Sequence, residues 1–384
     1  MPETSSTIDR ARELQNEIVQ WRRNLHSMPE LSFQEFETAN FIAAQLEQLG
    51  YKVRRNVAKT GLVADIGSGQ PTIAVRAEMD GLPIAEMNRL EYASRTHGVS
   101  HACGHDVNIA CALGAAKILS QSDLQGRVRI IMQPAAEDSC DENGKTGAMR
   151  MIDEGAIDEV AAIIAMHVDA TMPAGIVGII ADPFVVAPNQ FAVRIESATD
   201  ANSFNAVAAA AEAVHAMHGS KQNEHILISS MQATSPDLEE PARTAVLQGS
   251  FKSFSKEMRK SIVEQLENAL SNVKSLGGTY RIEFAHGGTQ LPRHQEVVDT
   301  MHDCARDLIG GERVKLISRK TWTEDFSGFT RHLPGSLMLL GGEIASNRRT
   351  HHSPTFDVDE SSLHIGSAIL AATVQRLFAV FATE

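Results

Sequence analysis

Strand-like runs alternate with helical runs over the first 170 residues, and that alternation restricts the chain to an α/β sheet. The spacing predicts helices over 8–27, where Ile8, Ala11, Leu14, Ile18, Trp21 and Leu25 recur at helical intervals, and over 35–49, 107–120 and 146–154. It predicts strands over 52–56, 62–66, 72–77, 127–133 and 161–167. Polar residues gather where the strands end: Glu78 and Asp80 after the third, Glu137 and Asp138 after the fourth, His167 and Asp169 at the fifth. Sheets of this kind place their sites beyond the carboxyl ends of their strands.

From about Gln190 the order changes to strand, alanine-rich helix, two strands, helix, strand, ending near Ala285. This β-α-β-β-α-β order is a split βαβ, ferredoxin-like α+β unit. The first pattern then resumes with a helix over 296–309, strands near 313–318 and 336–340, and a last helix over 361–380. The expected organisation is one domain of 1–188 and 290–384 interrupted by a smaller one of 189–289.

A formal charge of −13 without a basic run argues against nucleic acid and anionic membrane as partners. No apolar run approaching ~20 residues stands out, and the first residues lack the charged-then-apolar pattern of a secretory signal, so a cytoplasmic location is expected. Small molecules or proteins are left as partners. The four cysteines (Cys103, Cys111, Cys140 and Cys304) lack framework spacing and read as thiols.

The stretch His101-Ala102-Cys103-Gly104-His105-Asp106 concentrates two imidazoles, a thiol and a carboxylate. Gly104 lets the backbone turn so that Cys103 and His105 face one point. A thiolate with an imidazole suits Zn²⁺ and is usable by Mn²⁺, Fe²⁺, Co²⁺ or Ni²⁺, whereas a lone Cys-x-His is more often a core pair. Asp106 stands where the next helix would be N-capped. With Asp80, Glu137, Asp138, His167, Glu324 and His352, these residues could supply two metal ions and leave a carboxylate for proton transfer. Such an ion pair polarises a carbonyl and acidifies a water.

In order and spacing, several motifs resemble the amidohydrolase branch of the dinuclear metallopeptidases, which includes hippurate hydrolase, auxin-conjugate hydrolases, N-acetyl-diaminopimelate deacetylase and aminoacylases. They are Arg23-Asn24-Leu25-His26 with Pro29-Glu30-Leu31, Arg76 to Ile84, His101 to Asp106, Gln133-Pro134-Ala135, Met166-His167-Val168, Glu324 to Ser327, and His352-Ser353-Pro354. The resemblance implies a metallopeptidase-type catalytic domain with a central mixed sheet, and a smaller inserted domain serving as dimerisation surface or lid. It implies two divalent transition-metal ions, Zn or Mn foremost and Co or Ni usable, with Cys103, His105, His167 and His352 at ligand positions and the cysteine bridging. His352 rather than His351 precedes the Ser-Pro step. Asp80 and Asp106 match orienting positions, and Glu324 an acidic site position. A homodimer and a small-molecule substrate follow from the same likeness.

Two departures stand out. The family reads Gln-Pro-Ala-Glu-Glu, base then ligand, where this chain has Gln133-Pro134-Ala135-Ala136-Glu137-Asp138. A gapless match puts Ala136 at the base and Glu137 at the ligand. A one-residue slip, preferred because the chemistry needs an acid pair, makes Glu137 the base and Asp138 the ligand. In the small domain, Ile195 to Asp200 lacks the family's Gly-Gly-His, Leu238 to Pro241 lacks its asparagine, and Lys252 replaces an arginine. An oxyanion donor is worth about 2.7–4 kcal/mol in other hydrolases.

The expectation is therefore a metal-dependent hydrolase of an amide or other C–N bond in a small molecule, such as an N-acyl amino acid or amino-acid conjugate, using activated water and a glutamate base. An aminohydrolase or deaminase acting on an unusual C–N bond, and a catalytically reduced metal-binding ligand sensor, are the alternatives.

Overall fold

The computed structural model describes residues 2–137, 140–180, 189–198, 204–218, 226–235, 240–251, 256–285, 294–317, 325–345 and 349–382. In chain order the elements are α1 (Pro2–Glu13), α2 (Gln15–His26), α3 (Phe36–Gln48), β1 (Lys52–Val57), β2 (Gly61–Gly67), β3 (Thr72–Glu78), α4 (His105–Ser120), β4 (Arg127–Gln133), α5 (Gly147–Asp153), β5 (Val160–Pro173) and β6 (Val177–Ile180). They continue with β7 (Asn189–Ser197), α6 (Ala206–His218), β8 (Ile226–Thr234), β9 (Thr244–Phe251), α7 (Lys256–Ser275), β10 (Gly278–Ala285), α8 (Gln295–Ile309), β11 (Val314–Ile317), α9 (Ser327–Thr330), β12 (Gly335–Glu343) and α10 (Leu363–Val380).

The chain forms two compact units, one of Met1–Asp182, Pro292–Ser318 and Gly328–Glu384, the other of Pro183–Leu291 and Arg319–Ser327. The first is built on an eight-stranded mixed sheet in the order β1-β2-β4-β3-β5-β12-β6-β11. β3 lies at its centre, parallel to both β4 and β5, and β12 is parallel to β5. Every residue of β3 is buried, as expected of a parallel strand covered on both faces. α4 and α10 pack against each other, α2 lies on α4, and α8 lies on α10. α10 has the length and apolarity to cross a membrane, but 72% of its most apolar window is buried inside the protein, so composition alone does not separate it from a core helix.

The second unit is a four-stranded antiparallel sheet in the order β10-β7-β9-β8. Phe191, Val193, Ile195, Leu247 and Phe251 from its strands bury against Ala209, Ala213 and Met217 of α6 and Leu266 and Leu270 of α7. Period-2 strands and period-3.6 helices thus share one core, as their patterns require.

Three local expectations need correction, and one strand was missed. The helix expected over 8–27 is divided at Leu14 into α1 and α2. Asp106 is not a cap: α4 starts one residue earlier, after Gly104, which takes the N-cap position with left-handed φ of 90°. A Cβ on Gly104 would come within 2.3 Å of Val168 Cγ1, so the turn tolerates no side chain. β5 does not end at His167 but continues to Pro173, because β12 pairs with it there, Leu339 opposite His167. β6, a four-residue strand held between β12 and β11, was not legible as a strand of its own.

Candidate metal centre

β3 and β4 end side by side, Glu78 opposite Gln133. The turns that follow them carry Asp80 and Glu137, and β5 brings His167. Cys103 and His105 arrive on the turn that opens α4. His352 arrives from the segment after β12, where its N–H donates to Ala102 O at 2.8 Å and its φ is 58°, a left-handed conformation uncommon for a non-glycine residue. The fold therefore collects side chains that are far apart in the chain.

Two sets of donor atoms emerge, each close enough to share an ion: Cys103, His105 and His167, and Cys103, Glu137 and His352. Cys103 belongs to both. Its Sγ lies 3.5 Å from His167 Nε2 and 3.3 Å from His352 Nε2. Glu137 Oε1 lies 3.5 Å from His105 Nε2 and 3.4 Å from His352 Nε2. It is buried with no hydrogen-bond partner, an arrangement that costs free energy unless a cation satisfies it. A thiol, three imidazoles and a carboxylate converging on an orphaned oxygen fit borderline transition-metal ions.

Neighbouring groups set the ring orientations. His105 Nδ1 donates to Asp80 O at 2.8 Å and lies 3.2 Å from Asp80 Oδ1, which turns Nε2 toward Glu137. His167 Nδ1 donates to Val168 O at 2.7 Å, directing its Nε2 at Cys103. Asp80 Oδ2 accepts from Ser32 Oγ at 2.8 Å and from Glu137 N–H at 3.0 Å. Asp80 thus holds both a histidine and the segment carrying the carboxylate, as orienting residues of metal sites do.

Electrostatics favours occupation by cations. Burial, and after it the Glu137 charge, pushes the Cys103 thiol well up, so a thiolate there calls for a cation. Burial also opposes the charged form of Glu137, but His352 and His105 outweigh it and hold the carboxyl at about 2.

Asp106 instead serves a buried ion cluster. Arg22 Nε donates to Asp106 Oδ2 at 2.8 Å, its Nη2 to Asp357 Oδ1 at 2.8 Å and its Nη1 to Glu360 Oε1 at 3.0 Å. His26 Nδ1 is 2.8 Å from Asp106 Oδ2, and its Nε2 is 3.2 Å from Glu86 Oε1. The cluster ties α2 and the residues before α10 to the first turn of α4. Sequence reasoning missed Arg22, Asp357 and Glu360; the i, i+4 spacing of Arg22 and His26 on α2 was the available signal. His351 accepts at Nε2 from Ala170 N–H at 3.1 Å, so its Nδ1 donates to Cys103 O at 3.2 Å. Both ring nitrogens are thereby engaged with backbone, while His352 carries the donor atom near Cys103. His101 is fully buried with neither ring nitrogen hydrogen-bonded, and burial lowers it to about 4. Asp138, Glu324 and Lys252 lie outside the described residues.

The chain is 33% identical over 371 residues to an IAA-amino acid hydrolase ILR1-like 6 of Arabidopsis thaliana, covering 92% of this chain and 79% of the relative. It is 30% identical over 387 residues to the N-acetyl-L-cysteine deacetylase of Bacillus subtilis, covering 95% and 89%. Its fold matches the Bacillus subtilis YXEP protein, a dinuclear metal binding peptidase from the M20 family, with a TM-score of 0.82, 27% identity and coverage of 96% and 99%. A family model described as Peptidase family M20/M25/M40 matches residues 74–376, most of the chain. With its donor triads sharing one cysteine, the chain belongs to peptidase family M20/M25/M40 and is a metal-dependent hydrolase of that family.

Proposed function

We propose that this protein hydrolyses an amide or related C–N bond of a small molecule, of the N-acyl amino acid or amino-acid conjugate class. The observation that carries the reading is the sharing of Cys103 between two donor triads. Cys103, His105 and His167 would hold one divalent ion and Cys103, Glu137 and His352 the other, Zn or Mn foremost. When bound, such a pair supplies Lewis-acid polarisation of the scissile carbonyl and acidification of water. The chain's own residues do the rest. Asp80 fixes the His105 ring and the Glu137 backbone, and His351 holds the Cys103 turn against β5. The place of Glu137 in the second triad supports the gapless alignment, in which it is a ligand and Ala136 stands at the base position. Glu324 remains the proposed acidic residue beside the substrate.

A substrate panel assayed with Mn²⁺, Zn²⁺, Co²⁺ and Ni²⁺ supplied separately tests the proposal, with ammonia measured alongside carboxylate and amine release. Ammonia as sole product would assign an aminohydrolase instead. Full activity in Cys103→Ala would overturn the metal assignment.

A second reading, a metal-binding protein of reduced hydrolytic power that carries or senses a small ligand, is favoured by Ala136 together with the ligand-like placement of Glu137. Binding of panel compounds without turnover, under every metal, would select it. We further propose a cytoplasmic homodimer formed through the smaller unit, supported by the exposed apolar residues Leu227 and Met231 on its edge strand β8. Light scattering of the intact chain tests the assembly.

A further inference from the structure

Glu35 is a fully buried carboxylate to which the metal-site reading gives no role. It directly precedes α3, but its side chain does not cap that helix. Glu30 does so instead, accepting from Glu37 N–H at 3.2 Å and Thr38 N–H at 2.8 Å. Glu35 reaches elsewhere. Its Oε1 accepts from Ala135 N–H at 2.8 Å, and its Oε2 accepts from the Thr60 hydroxyl.

Ala135 is an unusual residue to be held in this way. Its φ is 49°, in the left-handed region that residues with a Cβ rarely adopt, so the surroundings must enforce it. The peptide before it is gripped by close packing: a Cβ on Gly147 would come within 1.7 Å of Pro134 O. Gly147 N–H also donates to Ala135 O at 3.3 Å. Two residues later Glu137 N–H is tied to Asp80, and the Glu137 carboxylate enters the triad with Cys103 and His352. The backbone turn at Ala135 therefore decides where that carboxylate is delivered.

We propose that Glu35 is a positioning residue for the Cys103, Glu137 and His352 triad: by holding Ala135 in its left-handed conformation it sets the direction in which the chain presents Glu137. The proposal rests on the reading above in which Glu137 is a ligand. It separates the two triads, because Cys103, His105 and His167 are carried by the turn opening α4 and by β5 rather than by the 134–137 segment.

The test is titration of metal-free full-length protein with Co²⁺, following thiolate-to-cobalt absorption and bound metal, for the wild type and for Glu35→Ala, Glu35→Asp and Glu35→Gln. The wild type should bind two ions. Aspartate is one methylene short of spanning Thr60 and Ala135, so E35D and E35A should weaken one ion roughly 10–100-fold and leave the other, with its thiolate band, in place. Glutamine can still accept from Ala135 N–H while its amide donates to the Thr60 oxygen, so E35Q should bind both ions as the wild type does. If E35A does not fold, E35D decides. Two ions bound as tightly by E35D as by the wild type would overturn the proposal, as would parallel loss of both. A wild type that binds fewer than two ions overturns the underlying ligand assignment, and the proposal with it.

Discussion

His352 Nε2 lies 3.3 Å from Cys103 Sγ, although 249 residues separate the two in the chain. The contact places Cys103 in the same donor set as Glu137, while its other face meets His167. One side chain is thus common to two triads, and removal of different ligands should have different consequences. Cys103→Ala should abolish retention of both ions, whereas His352→Ala should retain about one, as read by metal analysis after gel filtration. Equal metal content in the two variants would contradict the sharing.

Restoring a carboxylate at position 136 tests how the acidic segment aligns. If Glu137 is a ligand, Ala136→Glu places a proton acceptor one residue before it and should raise turnover of an N-acyl amino acid by roughly 10²–10⁴-fold. The measurement is kcat with saturating metal. An unchanged or lower rate would instead support Glu137 as the base.

Arg22 neutralises the buried carboxylates of Asp106 and Asp357. Arg22→Leu removes the guanidinium these buried carboxylates share and leaves Asp106 with the His26 ring alone, and breaking a buried pair from one side costs about 3–5 kcal/mol. Urea unfolding of the metal-free protein should show a loss of this size in the transition that reports the larger unit. A change below about 1 kcal/mol, the scale of exposed pairs, would mean that the cluster is hydrated.

Glu35 makes stability depend on pH with a definite sign. Burial, and after it the charge of Asp80, raises its carboxyl to about 7 from a reference of 4.5. Between those values the folded chain keeps a proton that the unfolded chain has released. Stability therefore falls as pH rises through the window, and the full cost is present above it. Glu35→Gln carries no charge to bury. The metal-free variant should exceed the wild type by on the order of 3 kcal/mol at about pH 8, with the gap closing toward about pH 4.5. Thermal melts across that range check it, and a gap that widens on acidification would refute the assignment.

Removing metal should lower stability as well, because ions that bind only the folded site stabilise it by mass action. Melting temperature should fall on dialysis against a chelator and recover with added Mn²⁺ or Zn²⁺. A melting temperature indifferent to both would be incompatible with a folded-state metal centre.

Much of this protein was legible in its residues because local physics writes local patterns. Apolar period marked β3, β4, α4 and the β-α-β-β-α-β unit within a residue or two at most ends, since a buried strand face or helix stripe must recur at its own spacing. Cys103 and His105 could be paired from sequence because one glycine separates them and the ring and thiol share a turn. Other features depend on where the sheet places residues that are remote in the chain. Nothing in its sequence neighbours says that Arg22 will meet Asp357, that β12 will extend β5 beyond His167, or that both ring nitrogens of His351 will bond to backbone, although the Ser-Pro step already marks His352 as the donor through the family likeness. The direction of Glu137 is of the same kind. It is set by a left-handed turn at Ala135, and an alanine adopts that turn only because tertiary contacts outweigh its own preference. Sequence determined which donors this chain possesses; tertiary structure decided which of them face one another, because a side chain's direction follows from packing and hydrogen bonds supplied from elsewhere in the fold.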